Sequence, residues 1–139
     1  MWPAAGDAPP ATAALGLHEV DSLAWAGDRY LVTTSYADLD RSDVVILDRD
    51  AGWKPAWTWS IPGMVRELRV RPGGGEVAIA WTNYRATDRV LRDDRQVEVF
   101  ALDGTRHAAV TTAGAPMSIA WSPKGDALLV AMVGVTPRE

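Results

Sequence analysis

The sequence predicts an all-β chain assembled from a repeated antiparallel unit, and three observations carry that prediction. A strand, a tight turn and a second strand recur three times, so that Leu23, Leu68 and Ile119 correspond, as do Trp25, Val70 and Trp121, at spacings of 45 and 51 residues. The turns consist of Gly27-Asp28, Pro72-Gly73-Gly74-Gly75 and Pro123-Lys124-Gly125-Asp126, where glycine accepts positive φ at no steric cost and proline presets the entry angle. The second strands, such as Val77–Trp81 and the stretch 127–133, are apolar at nearly every residue. A sheet with one wet face would alternate, so these strands are expected to be covered on both sides.

The elements follow in order. Residues 1–19 form an N-terminal segment in which Ala11–Glu19 suits the outer strand of a preceding unit. Residues 20–64 make the first full unit: a strand at Ser22–Ala26, a second at Tyr30–Thr34, a third at Val44–Asp48, a turn at Asp50–Gly52 and a fourth near Ala56–Ser60. Residues 65–114 repeat the plan, with a third strand at Val97–Leu102, a turn at Asp103-Gly104 and a fourth near His107–Thr112. Residues 115–139 supply only the first hairpin of a third unit. Four strands per ~45–50 residues is the period of a β-propeller blade, so the expected architecture is a partial β-propeller of about two and a half four-stranded antiparallel blades. A β-sandwich is the structural rival, and its strands would alternate more cleanly.

The run Ile119-Ala120-Trp121-Ser122-Pro123-Lys124-Gly125-Asp126 resembles the Trp-Ser-Pro-Asp-Gly hairpin of WD40-like, TolB-type (PD40) β-propeller repeats. Phe100-Ala101-Leu102-Asp103-Gly104 is similar to the strand end of the same family. The resemblance covers about residues 20–135. It departs where Lys124 replaces the family's turn aspartate and where the first unit lacks Ser-Pro. The resemblance implies a non-catalytic interaction or scaffold module, a fragment of a longer protein, that binds a protein or a small ligand. It equally implies an alternative, the propeller piece of a serine peptidase of the prolyl oligopeptidase family, gating a catalytic domain that this chain does not include.

Composition narrows the classes. Of 139 residues, 47% are hydrophobic and 23% charged, with a net charge of −4, an ordinary balance for a globular domain. A net negative chain argues against nucleic acid as partner, because that affinity rests on neutralising phosphates. No cysteine is present, so disulfides and thiolate metal sites are excluded. The longest apolar run, 127–135, falls far short of the ~20 residues of a membrane helix. Residues 1–7 lack the basic and apolar regions of a signal peptide. The expectation is a soluble chain of unassigned compartment, with no membrane partner, no cofactor and no metal.

The motifs read mostly as structure. Gly73–Gly75 is followed by Glu76 and a strand instead of Lys-Ser/Thr and a helix, so it reads as a turn and not a phosphate loop. Asp38, Asp40 and Asp43, and Asp48 with Asp50, lack the twelve-residue loop of a calcium site. His18 and His107 stand near no recognisable catalytic triad, and no Gly-x-Ser-x-Gly elbow occurs, so no catalytic residue is assigned. Trp25, Trp81 and Trp121 are expected in the core. Trp57 and Trp59 share a face of an outer strand and are candidates for partner contact.

Strand direction places the working surface. If first strands run from face one to face two, the tight turns gather on face two. The connections Ser35–Ser42 and Thr82–Arg95, read as long loops, then gather on face one with Pro62–Arg66 and Gly114–Met117. The second connection carries four arginines and three aspartates, with Asp88–Arg95 able to hold a helical turn. Binding residues concentrate in long connections on a rigid scaffold. Asp21, Arg66, Tyr84, Arg85 and Arg89 are therefore the expected ligand- or partner-facing residues, with Asp21 and Arg66 at the mouth of a central channel. A half unit leaves strand edges open, which predicts self-association through them.

Overall fold

A computed structural model describes residues 20–38, 40–87 and 90–134, with the backbone alone over 84–87 and 90–93. The expectations for residues 1–19, for Arg89 and for the last five residues lie outside the described residues. Ten strands account for nearly all of the described chain: β1 Val20–Ala26, β2 Tyr30–Asp38, β3 Arg41–Asp48, β4 Lys54–Ile61, β5 Met64–Val70, β6 Glu76–Thr87, β7 Val90–Ala101, β8 Arg106–Thr111, β9 Ala115–Trp121 and β10 Leu128–Val133. They form two four-stranded antiparallel sheets, β1-β2-β3-β4 and β5-β6-β7-β8, and a β9-β10 hairpin. Among the described residues no sheet closes on itself.

The sheets stack face to face with their first strands adjacent, β1 against β5 and β5 against β9. The continuous apolar character of β6 now has its cause. Val77, Ile79 and Trp81 turn to the first sheet and join Val32, Val44, Ile46 and Ile61 in one buried cluster. Ala78 and Ala80 turn the other way and join Val97 and Ile119 in a second cluster, with Trp121, Leu128 and Val130 packed on it. Each fully buried aliphatic side chain of this kind stabilises by about 1.5–3 kcal/mol relative to an exposed one.

Two close approaches fix the stacking. A Cβ on Gly74, whose φ is +79°, would stand 2.7 Å from the backbone N of Gly27, so the turns of the first two units nearly touch. The third turn joins them through Arg71, whose Nε donates to the Gly125 carbonyl at 2.6 Å. All three tight turns therefore share one end. At the other end Ser42 Oγ donates to the Gly63 carbonyl at 2.7 Å, and Asn83 Nδ2 donates to that of Pro62 at 2.6 Å.

Several expectations require correction. The connections Ser35–Ser42 and Thr82–Arg95 are not long loops. β2 and β3 pair out to Asp38↔Arg41, and β6 and β7 pair out to Thr87↔Val90. From Val90 to Arg95 the expected helical turn gives way to strand, and Asp88 and Arg89 lie outside the described residues. Pairing across the ladder satisfies the backbone N–H and C=O groups that a lone loop would have to expose. Trp25 is not core: it is 46% exposed, and Trp121 is only half-buried. Trp121 packs on the preceding sheet, whereas the equivalent face of the first sheet presents Leu23 and Trp25 outward.

Candidate functional site

The inner strands share one irregularity. Val20 pairs with Ser35 and Ser22 with Thr34, which leaves Asp21 as an extra residue. Val65 pairs with Trp81 and Glu67 with Ala80, leaving Arg66 extra. Pro116 pairs with Met132 and Ser118 with Ala131, leaving Met117 extra. The three bulges stand at equivalent positions of the three units. The local cause is the spacing of buried residues: Val65 and Leu68, like Pro116 and Ile119, are both buried although three apart. A strict two-residue alternation would send Arg66 into the core. A bulge resets the phase and turns the extra side chain aside, as bulges beside binding sites commonly do.

Because β1, β5 and β9 run alike and pack in sequence, these bulges form a row at the end opposite the tight turns. Arg66 is half-buried and donates from Nε to Thr82 Oγ1 at 3.0 Å. Asp21 and Met117 are exposed. Beneath them lies a buried polar layer that includes Thr34, Ser42, Thr82 and Asn83. Two of its atoms, Thr34 Oγ1 and Asn83 Oδ1, have no hydrogen-bond partner among the described residues. Buried polar atoms are ordinarily satisfied, so this layer retains unused acceptor capacity.

Beside this row a two-stranded arm leaves the second sheet. β5 pairs with β6 no further than Thr82, and β8 with β7 no further than Gln96. The β6–β7 ladder continues from Tyr84↔Asp93 through Arg85↔Arg92 to Thr87↔Val90. Four more residues on β6 extend the arm by roughly 13 Å. The structure thus brings Asp21 and Arg66 to one end and places Tyr84 and Arg85 on the arm at that same end. Met117 escaped the sequence reading, although its spacing from Asp21 and Arg66 carried the signal.

The tight-turn end is built differently. Arg29 donates from Nε and Nη2 to the two carboxylate oxygens of Asp48, each at 2.9 Å. These hydrogen bonds hold the Asp48 carboxyl below its ordinary range and raise the Arg29 guanidinium above its own. Trp53, with a φ of +66°, sets its ring at a tilt of 59° to that of Trp25, with centroids 5.7 Å apart. In the second sheet Glu76 Oε2 lies 2.6 Å from His107 Nδ1, and Oε1 accepts from Arg71. His107 first and Arg71 second hold the Glu76 carboxyl below its ordinary value. Next to this cluster a cleft of about 480 Å³ opens between the second sheet and the β9–β10 hairpin.

Of the outer-strand tryptophans, Trp59 packs its ring on Phe100, with centroids 5.4 Å apart, and Trp57 lies against Tyr30. Among the described residues no group of three or more His, Asp or Glu side chains is placed to hold a metal ion. None of the described helical segments is long and apolar enough to cross a membrane. No protein-family model, curated protein or solved structure matches the chain.

Proposed function

We propose that the chain is a non-catalytic interaction module built from β-propeller-type blades. It takes a protein or small ligand at the bulged end of its inner strands. The carrying observation is the repeated bulge at Asp21, Arg66 and Met117. A side chain turned out of a rigid sheet at the same place in three successive units makes a converging set of groups on an immobile base. An acid, a base and a thioether in one row suit a mixed polar and apolar surface. The adjacent arm adds Tyr84 and Arg85, residue types that dominate protein contacts. The layer beneath, with its two unpartnered oxygens, offers hydrogen bonding to a ligand that reaches past the row.

The test is a titration of isotope-labelled full chain with a panel of small carboxylates, phosphates, ammonium compounds and extended peptides. Amide shift changes are expected at residues 20–22, 65–67, 82–87 and 115–118. Their loss in an Arg66→Ala, Tyr84→Ala double variant of unchanged circular dichroism supports the reading. Responses restricted to residues 71–76 and 122–127 overturn it.

A further inference from the structure

Among the described residues, four buried side-chain polar atoms have no hydrogen-bond partner: Thr34 Oγ1, Trp59 Nε1, Trp81 Nε1 and Asn83 Oδ1. All four belong to one interface, that between the first two sheets. Trp81 lies within the cluster of Val32, Val44, Ile46 and Ile61, and Trp59 packs against it. Thr34 follows Val32 by two residues and pairs with Val44, so it shares their face. Asn83 follows Trp81 by two and takes the same side of β6. A buried indole N–H ordinarily finds an acceptor, and so do most buried polar groups.

Three of the four gather at the bulged end, around the link from β4 to β5. Asn83 Nδ2 donates to the Pro62 carbonyl at 2.6 Å, which leaves Oδ1 as the unpartnered atom. The Trp81 ring lies against Gly63, where a Cβ would meet Cε3 at 2.5 Å. Ser42 Oγ donates to the Gly63 carbonyl, and Thr34 is the diagonal neighbour of Ser42 on the same face of β2 and β3. A hollow of about 320 Å³, lined by Ile61 and Pro62 with Asp40, Arg41 and Ser60, opens beside the same link. Solvent therefore reaches the residue whose carbonyl holds Asn83.

The donor set selects the occupant. An indole N–H only donates, an amide oxygen only accepts and a hydroxyl does both. A cation would be refused by the Trp81 N–H, and an anion by Asn83 Oδ1. Water, with two donors and two acceptors, answers all three. Buried water ordinarily makes about three hydrogen bonds to polar groups that the protein itself leaves over. We propose that Thr34, Trp81 and Asn83 hold an ordered internal water between the first two sheets. The water offsets the desolvation that three bare polar atoms would otherwise cost the fold. A ligand reaching past the bulged row would meet this layer through the water, but the site does not depend on such a ligand.

The probe is water itself, in the full chain without ligand. Oxygen-17 relaxation dispersion is expected to show water with a residence far longer than that of surface hydration. The Trp81 indole N–H should give a cross-relaxation peak with water, of the sign that a bound molecule produces. Thr34→Val keeps the side chain's shape and removes its hydroxyl. It should weaken the Trp81 peak and lower the melting midpoint by about 3 °C or more, as loss of a made hydrogen bond does. A bare hydroxyl behaves in the opposite way, since removing an unpartnered buried polar group is neutral or stabilising. An unchanged or raised midpoint therefore overturns the proposal, as does dispersion without long-lived water. So does a chloride- or potassium-specific rise in the midpoint that Thr34→Val abolishes, because an ion is then the occupant.

Discussion

Trp25 and Trp121 hold the same place in the first and third units, yet among the described residues only Trp121 has a preceding sheet to pack on. Trp121 rests on the Ala78, Ala80 and Val97 face, donates from Nε1 to the Arg69 carbonyl at 3.1 Å and stacks under the Arg71 guanidinium. Trp25 has the Trp53 ring and is 46% exposed. Trp121→Ala is therefore expected to cost about 2–3 kcal/mol, below the full 3–5 of a buried ring, and Trp25→Ala only about 1. Urea denaturation of the two variants measures the difference, and equal losses would refute the account of the stack.

Gly63 is required by contact and not by backbone conformation. A Cβ there would meet Trp81 Cε3 at 2.5 Å and the Thr82 carbonyl at 2.6 Å, while one on Gly75 would meet nothing within 4 Å. Gly63→Ala is expected to destabilise by about 2–3 kcal/mol through overpacking. Gly75→Ala should change stability by less than ~0.5 kcal/mol. Thermal melts of the pair distinguish the two mechanisms.

The shared carboxylate of Glu76 predicts an acid-side slope. Its folded-state pKa lies below the ordinary 4.5, since His107 and Arg71 favour the charged form. The stabilisation is present above about pH 4.5 and is lost as pH falls through the lower folded value. Glu76→Gln should melt lower than wild type at pH 6, and the gap should narrow progressively below pH 4.5. A gap that stays constant down to the lowest measurable pH would contradict this.

Deleting one residue from a strand normally turns its remaining side chains to the wrong face. Deleting Arg66 should not, because Val65, Glu67 and Leu68 already pair with Trp81, Ala80 and Ile79 in unbroken order. The deletion removes the bulge and leaves the ladder. It is expected to cost less than about 2 kcal/mol, whereas deletion of Arg69 should unfold the sheet. Calorimetry on both deletion variants decides the point.

Much of the fold was legible because strand propensity, turn chemistry and repeat spacing are local properties. Ala24-Trp25-Ala26-Gly27-Asp28 and Ile119–Asp126 announce hairpins by themselves. The arm was not legible, since Arg85, Arg92 and their neighbours are polar enough to resemble a solvated loop, and only cross-strand pairing makes them a ladder. Exposure of Trp25 depends on which layer stands in front of it, which no residue in the unit encodes. The bulges were half-legible: Asp21 and Arg66 were singled out by equivalence, but the reason lies in the three-residue spacing of Val65 and Leu68. The cleft arises from sheets distant in sequence and left no local trace.

The middle sheet has a buried cluster on each face, and this two-sidedness decides how the molecule comes apart. Peeling away the β9–β10 layer uncovers Ala78, Ala80 and Val97 but leaves Val77, Ile79 and Phe100 sealed against the first sheet. Loss of that second seal, by contrast, dismantles the larger cluster. Unfolding is thus expected to advance in layers, the hairpin at low free energy and β6 last, as sub-global opening does where stacked units support only their neighbours.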